Sequence, residues 1–172
     1  METTKGAGGA VEEGEQKGSS YAVHFHFDNR LLVGGLHDEH PLALGRGRAE
    51  IAAVSKVLAI RAHGGLKGEW ASIGLADMFN AGGAIASEAV SQTEGGAEAE
   101  LMVKGSGRFL ALCSLRPSAV LFDDKKLEFS HGENSDGVPY LEVELPGGYT
   151  GEPRQLVMRW DKDSRAAAAA SA

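Results

Sequence analysis

Alternation of apolar and polar residues with a period of two dominates the middle of the chain. Tyr21, Val23, Phe25 and Phe27 share one side of an extended segment, and Ala22, His24 and His26 share the other. That pattern predicts a half-buried strand with its imidazoles on the solvated side. Asp28-Asn29 supplies turn chemistry, residues 30–33 return as a second strand, and Gly34-Gly35 breaks it. Residues 100–104 and 108–114 flank Gly105-Ser106-Gly107, and because glycine permits positive φ angles this spacing predicts a tight hairpin. A second hairpin is predicted for residues 119–122 and 126–130 around Asp123-Asp124, and the alternation repeats in residues 140–145 and 155–160. Short strands separated by turn signals predict an all-β protein, an antiparallel β-sandwich with Greek-key-like connections.

Two stretches depart from this period. Residues 48–62 are alanine-rich with Ile51, Val54, Val57 and Leu58 at three- and four-residue spacing, a helical pattern. Residues 72–80 suit a short helix with Ser72 as N-cap, ended by a turn at Gly82-Gly83 that calls for positive φ or close backbone approach. At most one or two short helices are therefore expected. Residues 1–20 are rich in Gly, Glu, Lys and Ser and lack the apolar surface to offset ordering entropy, so a disordered leader is expected there. Residues 161–172 run from charges into alanines too few to hold a helix in water, which predicts a disordered tail. The sandwich domain is assigned to residues 21–160.

Composition narrows the function classes. Seventeen basic and 24 acidic side chains give a net charge of −7, which provides no general attraction to nucleic acid or anionic lipid. Cys113 is the only cysteine of the 172 residues, so an internal disulfide and a cysteine-based zinc cage are both excluded. No apolar run approaches the ~18 residues of a membrane span, and the start lacks the features of a secretory signal, so a soluble intracellular chain is expected.

Candidate chemistry is sparse. His24-x-His26 and His37-x-x-His40 could place four imidazoles near one another, yet alternate polar positions on a solvated strand explain the first pair without a ligand role. No metal and no cofactor are expected. Gly105-Ser106-Gly107 lacks the third glycine of a dinucleotide motif and precedes a strand rather than a helix. Cys113 alternates with Phe109 and Ala111 and should pack as a small hydrophobe. Asp123-Asp124 falls in a turn, and Glu142 with Glu144 falls on an outward strand face, where nothing adjacent would desolvate either pair for acid–base work. Trp70, Tyr140 and Trp160 are the aromatics weighed as sugar-stacking platforms.

Residues 54–85, VSKVLAIRAHGGLKGEWASIGLADMFNAGGAI, carry Val54, Ser55, Lys56 and Leu58, then Ile73-Gly74-Leu75, Asp77-Met78, Asn80 and Gly82-Gly83-Ala84-Ile85. This string resembles the C-terminal region of plant raffinose synthases, seed imbibition proteins and alkaline α-galactosidases, which have the form "VSP-K-L" followed by "FAPIGL-NM-NSGGAI". The likeness continues through Val103 to Gly105, Gly107, Phe109, Ala111, Ser114 and Pro117 to Asp123, Glu128 and Phe129. It runs from about Pro41 to Trp160, and its most specific part contains Gly74, Asp77, Asn80, Gly82 and Gly83, which are assigned to a structural turn. In place of the family's acidic-aromatic strand, RGRAEIAA at residues 46–53 lacks the aromatics, and residues 29–40 match poorly.

The resemblance implies a β-sandwich that follows a catalytic (β/α)₈ barrel and packs against it, in enzymes that transfer or hydrolyse α-galactosyl groups. It places the catalytic aspartates in that barrel, so no catalytic residue is assigned to this chain. The leading expectation is an accessory domain of carbohydrate metabolism, inactive alone, with a barrel in cis or in trans as its partner and a tendency to self-associate when the barrel is absent. A free-standing carbohydrate-binding module using Trp70 or Tyr140 is the alternative, and a small metal-dependent enzyme built on His24 and His26 is the third class. A cytoplasmic location is expected, with the chloroplast as the other compartment.

Overall fold

The computed structural model describes residues 19–62, 65–93, 95–148 and 151–161. The expected leader and tail lie outside the described residues, apart from residues 19, 20 and 161. Thirteen strands and the 3-10 segment Ala81–Ala84 lie among these residues, and every strand pairing is antiparallel.

The strands form three sheets. The first joins β1 (Ser20–Phe25), β2 (Arg30–Gly35) and β3 (Ala52–Lys56) in the order β2-β1-β3. The second contains β4 (Leu58–Arg61), β5 (Lys67–Leu75), β8 (Gly107–Cys113), β11 (Ser130–Glu133) and β12 (Pro139–Leu145), in the order β11-β12-β8-β5-β4. The third contains β6 (Ile85–Thr93), β7 (Gly96–Val103), β9 (Ala119–Phe122), β10 (Lys125–Lys126) and β13 (Arg154–Trp160), in the order β10-β9-β13-β7-β6. The second and third sheets enclose the main core, in which Trp70, Phe109, Cys113, Leu141 and Val143 meet Leu101, Val120, Phe122, Leu156 and Trp160. This is the expected sandwich.

A third layer goes beyond that expectation. The three-stranded sheet lies on the outer face of the second sheet, where Ala22, Leu31, Ala71, Ile73, Leu110 and Leu112 form a separate core. The second sheet is thus buried on both faces. For that reason every residue of β8 from Phe109 to Cys113 is buried, whereas simple alternation would leave half of them wet.

Burial on both sides explains several departures from the sequence pattern. In β1 the inward residues are Ala22 and His24, and Val54 of β3 points out at 61% exposure while Ala53 packs inward. The imidazole face of β1 is therefore the packed one, because small residues and a flat ring let the thin first sheet approach closely. Phe25, on the opposite face, is covered by the edge of His40. The helix expected over residues 48–62 is replaced by β3 and β4. Pairing of β3 with β1 and of β4 with β5 overrides alanine's helical propensity.

The helix expected over residues 72–80 is likewise absent. Ser72 lies inside β5, and the chain continues through a turn into the 3-10 segment Ala81–Ala84, capped by the Asn80 side chain accepting from the Gly83 N–H. A bulge between Ser72 and Gly74 shifts the phase of β5 by one residue, placing Leu75 opposite Phe109 in the main core while Ile73 faces the outer one. Gly74 makes this possible with φ of 105°, and a Cβ there would collide with the Ala81 carbonyl. Gly82 and Gly83 have no positive φ among the described residues, and a Cβ on Gly83 would meet only the Asn80 side chain.

The predicted hairpin across Gly105-Ser106-Gly107 is a connection between sheets. β7 pairs with β6 and β13, whereas β8 pairs with β5 and β12. Both edges of β7 are thus already occupied, and Gly105 and Gly107, at φ 115° and 108°, turn the chain across the core instead. The Asp123-Asp124 hairpin forms, with φ of 46° and 63° at the two aspartates, but its return strand β10 has only two residues. β2 runs on through Gly34-Gly35 rather than stopping there.

Candidate functional site

Chemistry gathers where the turn between β1 and β2 of the three-stranded first sheet meets the outer face of the second sheet. Arg108, at the start of β8, shares the outer face with Leu110, and the register sets Glu142 opposite Leu110 and Tyr140 opposite Leu112. The β1–β2 turn brings Asn29 over them, held at φ 47°.

Arg108 is the hub. Its Nε and Nη2 donate to Asp77 Oδ1 at 3.1 and 2.9 Å, Nη1 donates to Glu142 Oε2 at 3.2 Å, and Nη2 donates to Asn29 Oδ1 at 3.0 Å. The hydrogen bond from Asp77 is the largest influence raising the guanidinium above its ordinary pKa, with Glu142 adding to it against partial burial. One cation thus fastens the 76–80 turn, β12 and the β1–β2 turn together. His24 Nε2 lies 3.4 Å from the same Asn29 oxygen, and burial lowers its pKa.

A cavity of about 240 Å³ opens beside this hub, lined by Asn29, Leu31, Arg108, Leu110, Glu133, Asn134, Tyr140 and Glu142. Its floor is apolar and its rim polar. The outer wall is locked by Arg30, whose Nε and Nη2 donate to Asp136 at 3.0 and 2.9 Å, and by Asn134, whose Nδ2 donates to the Leu31 carbonyl at 2.7 Å. The Arg30 hydrogen bonds hold the Asp136 carboxyl below its usual pKa. Asn134 Oδ1 in turn accepts from the N–H groups of Asp136 and Val138, so that side chain is spent on shaping the loop.

On the other side of Arg108 lies an exposed aromatic patch. Phe27 and Phe79 are 56% and 65% exposed, with ring centroids 5.8 Å apart, and His26 packs its ring 5.0 Å from each. His26 Nδ1 is fixed 3.1 Å from the Ala76 carbonyl, and Met78, the chain neighbour of Phe79, is 40% exposed.

The structure sorts the residues singled out from sequence. Trp70 and Trp160 are completely buried in the main core, edge to face at 5.5 Å, so neither offers a stacking surface. Their indole N–H groups donate to Glu88 Oε1 and the Leu115 carbonyl. Tyr140 is the one of the three that lines a cavity. The imidazoles are scattered: His24 and His26 are bound as above, His40 lies against the other face of β1, and no group of three metal-ligating side chains occurs among the described residues. Cys113 is buried with its thiol donating to the Leu115 carbonyl at 3.0 Å, and burial pushes its pKa up to about 12. Asp123 accepts from Arg154 Nε at 2.7 Å on the third sheet and is not bonded to the Arg108 hub. The turn residues Gly74, Asp77, Asn80, Gly82 and Gly83 fall on one stretch, of which Asp77 alone reaches the hub.

Arg108, Asn29, Phe27 and Phe79 were not identified as site residues from sequence. A signal existed for Arg108: it heads an outer-face series, Arg108, Leu110 and Leu112, that is otherwise apolar, which marks a charge in need of partners. The pairing of Phe27 with Phe79 depends on two turns distant in sequence and left no local trace.

Comparison with known proteins places this geometry in context. The family profile described as raffinose synthase or seed imbibition protein Sip1 matches residues 5–142. A galactinol--sucrose galactosyltransferase of Oryza sativa subsp. japonica is 32% identical over 139 residues, which is 81% of this chain and 17% of that protein. A probable galactinol--sucrose galactosyltransferase 5 of Arabidopsis thaliana is 31% identical over 114 residues, 66% of this chain and 14% of that protein. The chain thus spans less than a fifth of the length of these relatives.

Proposed function

We propose, from the premise that this chain belongs to the raffinose synthase or seed imbibition protein Sip1 family, that it acts as the C-terminal accessory β-sandwich of a galactosyltransferase-like protein. In this reading the domain seats against a catalytic (β/α)₈ barrel and does not itself turn over sugar. The observation that carries it is the exposed patch formed by Phe27 and Phe79. Two large exposed aromatics in contact with one another mark a surface meant to be covered. Displacement at a sugar carbon requires two carboxyls on opposite sides of the reacting bond, ~5–10 Å apart, one of them as a nucleophile or base. Asp77 and Glu142 are instead both committed to the Arg108 guanidinium.

Two measurements test this reading. The purified chain should release nothing from a chromogenic α-galactoside and form no product from galactinol plus sucrose, beyond a heat-killed control. Turnover that survives repurification would overturn the accessory role, and Asp77, Asp123 and Asp124 would then be the first residues to replace. With its patch uncovered the chain should also self-associate in sedimentation runs, and the double variant Phe27→Ser, Phe79→Ser should shift it toward monomer. A wild-type chain monomeric at all concentrations would remove the docking argument.

A further inference from the structure

We propose that the cavity beside Tyr140 is a binding site for one uncharged sugar ring. Leu31 and Leu110 give it an apolar floor, and the half-buried Tyr140 adds an aromatic wall. Around them stand polar groups with capacity to spare. The Tyr140 hydroxyl and the Glu133 carboxylate have no partner among the described residues. Glu142 spends Oε2 on Arg108 and leaves Oε1 unused, and Asn29 spends Oδ1 and leaves its amide N–H donors.

Donors and acceptors interleaved above an apolar surface match a pyranose, which has a C–H face and a rim of hydroxyls able to donate and accept at once. Charge decides against other small ligands. Glu133 and Glu142 outnumber the Arg108 guanidinium, which Asp77 already engages, so a phosphate or carboxylate would meet net repulsion. Size decides against longer ones: at about 240 Å³ the cavity is below the ~300 Å³ at which drug-sized pockets begin, so a single ring enters and further units project into solvent. The same Arg108 braces both the cavity and the turn that carries Phe79. A sugar held here would therefore sit next to the proposed docking face.

The choice of galactosides and sucrose as probes rests on the family reading, but the cavity chemistry does not, and the activity assay tests that reading separately. Calorimetric titration of the full chain with methyl α-galactoside, galactinol and sucrose should give saturable heat for at least one. Galacturonate should bind more weakly than methyl α-galactoside. Glu133→Ala removes an exposed carboxylate that supports no other contact, so that variant should fold normally and lose about tenfold in affinity. Tyr140→Ala should lose more, and Tyr140→Phe, which keeps the packed ring, reads the hydroxyl alone. Absence of saturable heat with all three sugars overturns the site, as does binding unaffected by both Glu133→Ala and Tyr140→Phe. Tighter binding of galacturonate overturns the ligand class. None of these outcomes bears on whether the chain turns over substrate, which the activity assay decides by itself.

Discussion

The two faces of the second sheet are packed by opposite means. Its inner face meets the third sheet through large side chains, with Trp70, Phe109 and Leu141 against Phe122, Leu156 and Trp160. Its outer face meets the three-stranded sheet through alanines, Ala22, Ala53, Ala71, Ala76 and Ala81, mixed with the aliphatics Leu31, Ile73, Leu110 and Leu112. This core holds no fully buried aromatic ring among the described residues, and polar seams run between its members. Ser55 Oγ donates to the Ser72 carbonyl at 2.5 Å and Asn134 to that of Leu31. Bulky interdigitation gives stability and leaves no room for ligands. Small residues with hydrogen bonds give a thinner, less apolar layer whose margin is open, and the cavity and the Arg108 hub lie at that margin.

Three kinds of perturbation would break or sharpen this contrast. Trp70→Ala should have the largest effect, about 3–5 kcal/mol in urea unfolding, because a fully buried indole and its ring contact with Trp160 are both lost. A small loss would mean that the inner core is not the principal source of stability. Gly74→Val should follow at about 1–3 kcal/mol, since it forces a β-branched residue to positive φ against the Ala81 carbonyl and disturbs both cores through one bulge. Gly83→Val should cost well under that, about 1 kcal/mol or less, because only the exposed Asn80 cap has to give way. Equal melting temperatures for the two glycine variants would show that the bulge does not matter.

The smallest expected effect is on pH dependence. Burial lowers the pKa of His24, so the unfolded chain takes up a proton that the folded one resists. Stability should therefore be full above about pH 6.5, the unfolded value, and decline as pH falls below it until the native pKa is reached. His131, also lowered by burial, acts in the same direction. His24→Gln should flatten part of the slope in urea midpoints measured between about pH 5.5 and 7.5. An unchanged slope would place the sensitivity in His131 and leave the outer layer indifferent to acid.

How much was legible in the sequence follows from the same contrast. Strands with one clear apolar face, such as β12 and β13, announce themselves by alternation. β8 was legible as a strand over residues 108–114 but not as one buried on both faces, and the end of β5 was not legible at all, because burial on both sides replaces alternation with a continuous apolar run. β3 and β4 were hidden in alanines that suit a helix until pairing partners are supplied. The polarity of β1 misled for the related reason that its packed face carries Ala22 and His24 rather than its aromatics. Of the site, Tyr140 was visible as an aromatic of interest, whereas the cavity around it joins residues from the β1–β2 turn, β8 and the β11–β12 hairpin. Such a meeting depends on topology and has no signature in any one segment.

The order of strands in the third sheet has a consequence for how the protein comes into being. β13 lies between β7 and β9, so the last of these five strands to be synthesised fills the middle of its sheet. Until it arrives, one edge each of β7 and β9 stands open, and open edges recruit any extended chain nearby. The nascent domain is therefore most vulnerable to mispairing just before synthesis of residues 154–160 is finished, and insertion of this strand is the event that closes it.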